Sequence, residues 1–467
     1  MNFAMNHEIR FHAIKDPVHG TMQFTSLEDQ WIKPFIDSPT FQRLRHIKQM
    51  GMGDFIFPGA VHTRFNHSLG CCFVASQIAH KIGLSEEERQ LVMIACLLHD
   101  IGHGPFSHTF EDVFIHKLIR HESWTPYFLA EYRNHTFFNE YHRRNPNHFL
   151  SEQTFSLIEN MIMHKARIKP VLADVVSSQL DADRLDYLLR DSHFCGVTYG
   201  TFDLRWMLNS MTIVTGEQGE RLGLTHKGIG VVEHYLMARR LMIRNIYHHQ
   251  KKLAFEFYLI QLFLSLAENL AHHTLYDDIK QTRLGKFLIA ANEFNHAVIH
   301  GGDPALLKQH FLERHYSDYK ELCDYDVFAV IKSLSQRHDP DSTVQLAKRL
   351  QYRQMPKVIR LDHVDSQVIQ EMLSQLFQSH KKSIHDWQLT LIKTPNQSYS
   401  IEEDPILIVN EIQEVRPLNE ISLMINAISD KYEHTTLLCI DSSLIHHKAV
   451  EGLVKKISRS RDSLSSL

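Results

Sequence analysis

Several features that mark common protein classes are scarce in this chain. Only six cysteines occur among 467 residues, at positions 71, 72, 96, 195, 323 and 439, and none forms a C-x-x-C pair. That speaks against a disulfide scaffold or a cysteine-framed zinc site; reduced core thiols in a cytoplasmic protein are expected. No uncharged apolar run approaches the roughly 20 residues that span a bilayer, so no membrane partner is expected. The first twelve residues, MNFAMNHEIRFH, hold no apolar signal core. Net charge is only −4, from 50 basic and 54 acidic residues, which argues against nucleic acid as the main ligand. A repeating β-α alternation and a glycine-rich phosphate loop are also missing, which removes the P-loop class.

What is abundant is histidine, with 34 residues. Most will be surface or structural, so the number alone is no sign of metal binding. Helical periodicity dominates from about residue 26 to 350. Ser85 followed by three glutamates reads as a capped helix start, and 231–266 as one long apolar-rich segment suited to an interface. Extended pieces are expected at 14–25 and 211–224, the latter with a hairpin turn at TGEQGE. Beyond Pro356 the pattern changes to short β-rich runs at 388–392, 406–409 and 436–440. A turn is expected at 395–397, a helix start at Leu418 and a frayed tail over 458–467. The fold class is therefore mainly α, with a helical catalytic core (1–355) and a smaller C-terminal α+β lobe (356–467).

Residues 99–108, HDIGHGPFSH, carry the most chemistry. His99 and Asp100 end an apolar helical stretch at 91–98, where Gly102, Gly104 and Pro105 break the helix. Side by side they offer a cation one nitrogen and one oxygen ligand. Upstream stands His62-Thr-Arg-Phe-Asn-His67; downstream stands Asp181-Ala-Asp183-Arg-Leu-Asp186-Tyr187. Two imidazoles with two carboxylates suit one divalent ion such as Fe, Mn, Co, Ni or Zn, and Mg also stays open. Such an ion acidifies bound water, the chemistry of a phosphohydrolase. Asp183, Tyr187 and Asp191 are spaced i, i+4, i+8 and share one helix face. Arg64 lies three residues before His67, Arg184 adjoins Asp183, and 239–252 is strongly basic; arginine forks pair with phosphate. His103, His108 and His121 are candidate proton donors, since imidazole titrates near working pH.

The strings DPVHG (16–20), QRLRHIKQMG (42–51), FPGAVHTRFNHSLG (57–70), HDIGHGPFSH and DADRLDYLLRD (181–191) resemble the HD superfamily. More narrowly they resemble the deoxynucleoside triphosphate (dNTP) triphosphohydrolases, over roughly residues 10–360, with the HD motif region at about 45–195. The resemblance implies that His67, His99, Asp100 and Asp183 hold the metal while dNTP is split into deoxynucleoside and tripolyphosphate. It implies that Tyr187 meets the sugar or phosphate and Asp191 the 3′-hydroxyl. Arg64, Arg184, Arg239, Tyr247 and His249 would also contact substrate. Glu111 would orient His121, the general acid or base, with His103 at the α-phosphate and His108 at or behind the phosphates. Gln49 would face the 3′-hydroxyl and Met50 the sugar and base, pressing on C2′ so that a 2′-hydroxyl is excluded. Asp37, Gln42, Arg45, Arg353 and Lys357 match positions that bind an activating nucleotide between subunits of a homodimer or homotetramer. Two readings stay open beside this one: an HD phosphohydrolase of another phosphoester (nucleoside monophosphate, cyclic nucleotide or guanosine alarmone), and a nucleotide-binding regulator without turnover.

Overall fold

The computed structural model describes residues 13–23, 30–146, 148, 150–163, 169–216, 219–272, 276–361, 366–380, 384–397, 404–430 and 432–464. The fold is mainly α, as expected, with three small sheets among the described residues.

Four helices build the frame of the site. Helix α1 (Arg64–Ile82) starts where Asn66 accepts the Thr63 amide and stops at Gly83, whose φ of +74° is the left-handed closure glycine adopts freely. Helix α2 (Glu86–Leu98) carries the expected capping box: Ser85 Oγ accepts the Glu88 amide and Glu88 accepts the Ser85 amide. Its residues from Val92 to Leu98 are buried all round, so α2 runs through the interior against α1 and delivers His99 inside the protein. Helix α3 (His121–Ala130) abuts the turn after α2. A Cβ at Gly102 would collide with the His121 carbonyl and Thr125, so the bare glycine lets the two segments close up. Helix α4 (Ala182–Cys195) is capped by Asp181, which accepts the Arg184 amide at 2.7 Å, and packs on α1.

The segment 231–266 is not one helix. It divides into α5 (Ile229–Met242), a π turn at Ile243–Tyr247, and α6 (Gln250–His272). His248, at φ −98° and ψ 27°, ends the π turn. The wider turn re-aims Tyr247, and such bulges sit often at functional sites. Gln250–Leu270 is long and apolar enough, with a mean hydropathy of 1.3, to cross a membrane by length and composition. Here α6 packs against α7 (Arg283–Ile299) and α9 (Ser342–Gln351), with α8 (Asp324–Ser335) between α7 and α9 in sequence.

Strands β1 (Ala13–Asp16) and β2 (Gly20–Gln23) form a hairpin; β3 (Met211–Gly216) and β4 (Gly219–Thr225) form the hairpin read from sequence, though its tip at 217–218 lies outside the described residues. Strand β5 (Lys357–Arg360), β6 (Leu389–Gln397) and the later β9 (Tyr432–Ile440) make an antiparallel sheet in the order β5-β9-β6. Helices α10 (Ser366–His380) and α11 (Lys448–Leu464) cover it through Ile369, Leu373, Val450 and Leu453. Two local expectations fail here. Pro395 through Gln397 continue β6, because β9 is long enough to pair with them. The tail is helical to Leu464, because α11 has an apolar face to bury. Strands β7 (Leu407–Val409) and β8 (Val415–Pro417) leave that sheet: β7 pairs in parallel with β4, and Ile406, Ile408 and Leu418 join the main core.

Candidate active site

His67 on α1, His99 and Asp100 at the end of α2, and Asp183 on α4 converge. His67 Nε2 lies 3.0 Å from Asp183 Oδ1 and 3.6 Å from Asp100 Oδ2; His99 Nε2 lies 3.5 Å from Asp100 Oδ1 and 3.6 Å from Asp183 Oδ1. Both imidazoles have their other nitrogen fixed, His67 Nδ1 by Asp186 at 2.8 Å and His99 Nδ1 by the Cys96 carbonyl at 2.7 Å. Those bonds hold the Nε2 lone pairs toward the carboxylates, the arrangement metal-binding histidines use. His99 Nε2 is buried and has no hydrogen-bond partner. The donor set and this orphaned nitrogen fit one divalent ion. Cys71, one turn after His67, also lies within reach. Burial and the nearby carboxylates push its thiol well up, which favours a protonated, weakly ligating sulfur. Burial opposes charge on His67, but its bonds to Asp183 and Asp186 prevail and push it up to about 10. Asp183 is held well below the carboxylate range despite burial, by His67 and His99.

Sequence reasoning missed what stands behind His67. Asp186 also accepts from His19 Nε2 at 2.6 Å and from Arg190 Nε at 2.8 Å. Arg190 in turn pairs with Asp16 at 2.8 Å, and Asp16 Oδ1 accepts the Val18 and His19 amides. The DPVHG string thus braces the His67 side of the candidate centre from outside. Gly70 makes room, since a Cβ there would overlap Asp186 and Arg190. The signal was present as Asp186 and Arg190 at i, i+4, three residues past Asp183.

Beside the metal group lies a histidine cluster. Glu111 Oε1 accepts from His121 Nδ1 at 2.7 Å and His108 Nδ1 at 3.2 Å; the His103 and His121 rings stack at 3.8 Å. His103 Nε2 reaches Asp100 Oδ1 at 3.3 Å. Burial, with the Arg64 and His121 charges, pushes His103 well down, so it is neutral. Glu111 is held far below the carboxylate range: burial opposes this, and the two histidine bonds outweigh it.

Both groups open on one cleft of about 840 Å³, within the range of ligand sites, roughly 300–1,000 Å³. Of the expected substrate residues, Gln49, Met50, Arg64, His108, Tyr187, Asp191 and Tyr247 line it. Arg64 is already paired with Asp100. Asp191 is held by His62 at 2.7 Å and by the Tyr247 hydroxyl at 2.8 Å. Arg184, Arg239 and His249 do not line the cleft: Arg184 pairs with Asp181, Arg239 donates to Gln179, and His249 packs by Phe57. His248 and Lys252 of the basic 239–252 segment line it too, as does Thr394 of β6, which was not foreseen; the buried His248 Nδ1 and Thr394 Oγ1 have no partner. Of the expected regulatory residues, Arg45 donates to Gln42 at 2.6 Å and stacks on Phe65, and Asp37 pairs with Lys33. Arg353 donates to the Phe55 carbonyl, and Lys357 lies on β5.

Comparison with known proteins gives the same direction. Residues 64–188 match the family model described as HD domain. The human deoxynucleoside triphosphate triphosphohydrolase SAMHD1 is 31% identical over 272 residues, 51% of this chain and 42% of that protein. The uncharacterized protein MJ1154 of Methanocaldococcus jannaschii is 37% identical over 243 residues, 51% of this chain and 46% of that one. The chain therefore spans about half the length of the curated relatives it matches. A crystal structure of a phosphohydrolase from Bacteroides thetaiotaomicron superposes with a TM-score of 0.70 at 28% identity, over 92% of this chain and all of that one. Residues 64–188 thus match an HD domain, and the chain as a whole is similar to phosphohydrolases that include the deoxynucleoside triphosphate triphosphohydrolases.

Proposed function

We propose that this protein hydrolyses deoxynucleoside triphosphates to deoxynucleoside and tripolyphosphate. The observation that carries the reading is the junction of the His67, His99, Asp100 and Asp183 group with the Glu111–His121 pair in one cleft. An ion held by those four residues supplies Lewis acidity and a more acidic water. His121, fixed through Nδ1 by Glu111, presents Nε2 as proton donor to the leaving 5′-oxygen. Asp191, positioned by His62 and Tyr247, and Gln49, whose buried Oε1 lacks a partner, face the sugar. Met50 presses on the ribose edge. The same proposal takes the protein as a cytoplasmic homo-oligomer in which Asp37, Gln42, Arg45, Arg353 and Lys357 take an activating nucleotide.

Incubation with four dNTPs and Mn²⁺ or Mg²⁺, with product identification, tests the reading. Tripolyphosphate is the expected product. Orthophosphate, or turnover only of a monophosphate, cyclic nucleotide or alarmone, transfers the assignment to another phosphoester. Binding of nucleotide with no turnover under any metal leaves a regulator. Arg45→Ala tests regulation: assembly or nucleotide activation changes at constant metal content, and unchanged nucleotide dependence removes that part.

A further inference from the structure

Asp324, the first residue of α8, belongs to none of the motifs above and is 2% exposed. Its Oδ1 accepts the Phe106 amide at 2.7 Å, and its Oδ2 accepts the Lys48 amide at 2.9 Å. One carboxylate thus joins two loops that are distant in sequence. The first continues into Gln49 and Met50; the second holds His103 and His108; all four residues line the cleft.

A second tie runs alongside. Ser107 Oγ donates to the Lys48 carbonyl at 2.9 Å and accepts from Arg64 Nε at 3.0 Å, and Arg64 is paired with Asp100. The tied segment is strained, with Phe106 at φ +54° and Ser107 at φ +56°. Neither residue holds that conformation unless its surroundings enforce it. Burial pushes the Asp324 carboxyl up to about 6, so at neutral pH it stays ionised, an acceptor at both oxygens. A carboxamide cannot replace it, because its NH₂ would face one of the two amides.

We propose that Asp324 is a positioning residue: by accepting the Lys48 and Phe106 amides together, it sets the spacing between the Gln49–Met50 loop and the His103–His108 loop. The idea rests on the phosphohydrolase reading, because the spacing matters where substrate bridges the loops.

The test is Asp324→Asn in the full-length, metal-loaded protein, beside Asp341→Ala as a control that removes the N-cap of α9 away from the cleft. Expected for Asp324→Asn are unchanged metal per chain, at least a tenfold fall in kcat per bound ion, and at least a threefold rise in KM. Hydrogen–deuterium exchange should rise together in peptides covering 44–52 and 99–108, but not within α1. The control should lose thermal stability while keeping kcat. The proposal is overturned if activity per bound ion stays within twofold of wild type, or if exchange in the two loops is unchanged. Should Asp324→Asn not fold, Ser107→Ala decides: kcat falling at least fivefold supports the tie, and wild-type kcat refutes it. Wild-type protein inactive on every phosphoester would defeat the phosphohydrolase reading instead, and the exchange measurement would still judge the tie.

Discussion

Asp186→Asn separates the brace behind His67 from the four candidate metal ligands themselves. Asp186 accepts from His67 Nδ1 at 2.8 Å, His19 Nε2 at 2.6 Å and Arg190 at 2.8 and 2.9 Å, with no exposure to solvent. Asparagine keeps the shape and one acceptor oxygen but removes the charge. Breaking a buried ion pair generally costs about 3–5 kcal/mol, because the remaining charge is stranded. Here Arg190 keeps Asp16 at 2.8 and 3.3 Å, so the cost falls near the lower end, about 3 kcal/mol. The ring of His67 loses its strongest orienting partner, and loss of such outer partners weakens metal binding by about 10–100-fold. That is about 1.4–2.7 kcal/mol in affinity. Competition against a chelator of known affinity, on protein whose circular dichroism matches wild type, measures it. Wild-type metal affinity together with wild-type turnover would refute the claim that DPVHG and α4 brace the centre.

Three further outcomes follow from the geometry. Asp100→Ala should yield folded protein without bound metal or turnover, read by elemental analysis and activity; retained activity removes the proposed centre. Glu111→Gln should lower kcat by about 10²-fold or more, the scale of a misplaced general acid, while metal content stays constant. A kcat near wild type would release His121 from that role. The raised His67 value gives a pH signature in two parts. A group raised above its unfolded value stabilises the metal-free protein fully below about 6.5, and that contribution is lost as pH rises through about 10. An ion needs the same nitrogen unprotonated, so metal binding releases a proton and weakens as pH falls. Calorimetry in buffers of different ionisation enthalpy should show that release; none would mean His67 does not ligate.

Much of this was legible in the sequence because it was local. The capping box at Ser85 and the β3–β4 hairpin follow from near-neighbour hydrogen bonding. The spacing of Asp183, Tyr187 and Asp191 set one helix face. The HD strings named the residues at the centre, since adjacent His-Asp and a distant Asp are a chemical requirement that survives without coordinates. What failed were judgements that depended on a partner: the break of the 231–266 segment at a π turn, Pro395 inside a strand, and the order of the tail.

The amino-acid order alone determined the helical class, the capped helix start at Ser85 and the metal-binding vocabulary, because these rest on contacts within a few residues. Tertiary packing alone decided that Asp186 rather than solvent fixes His67, that Asp324 ties the loops at Lys48 and Phe106, and that β7 returns to β4. Those choices compare burial and hydrogen bonding between segments far apart in the chain, and no local pattern encodes which buried carboxylate will meet which donor.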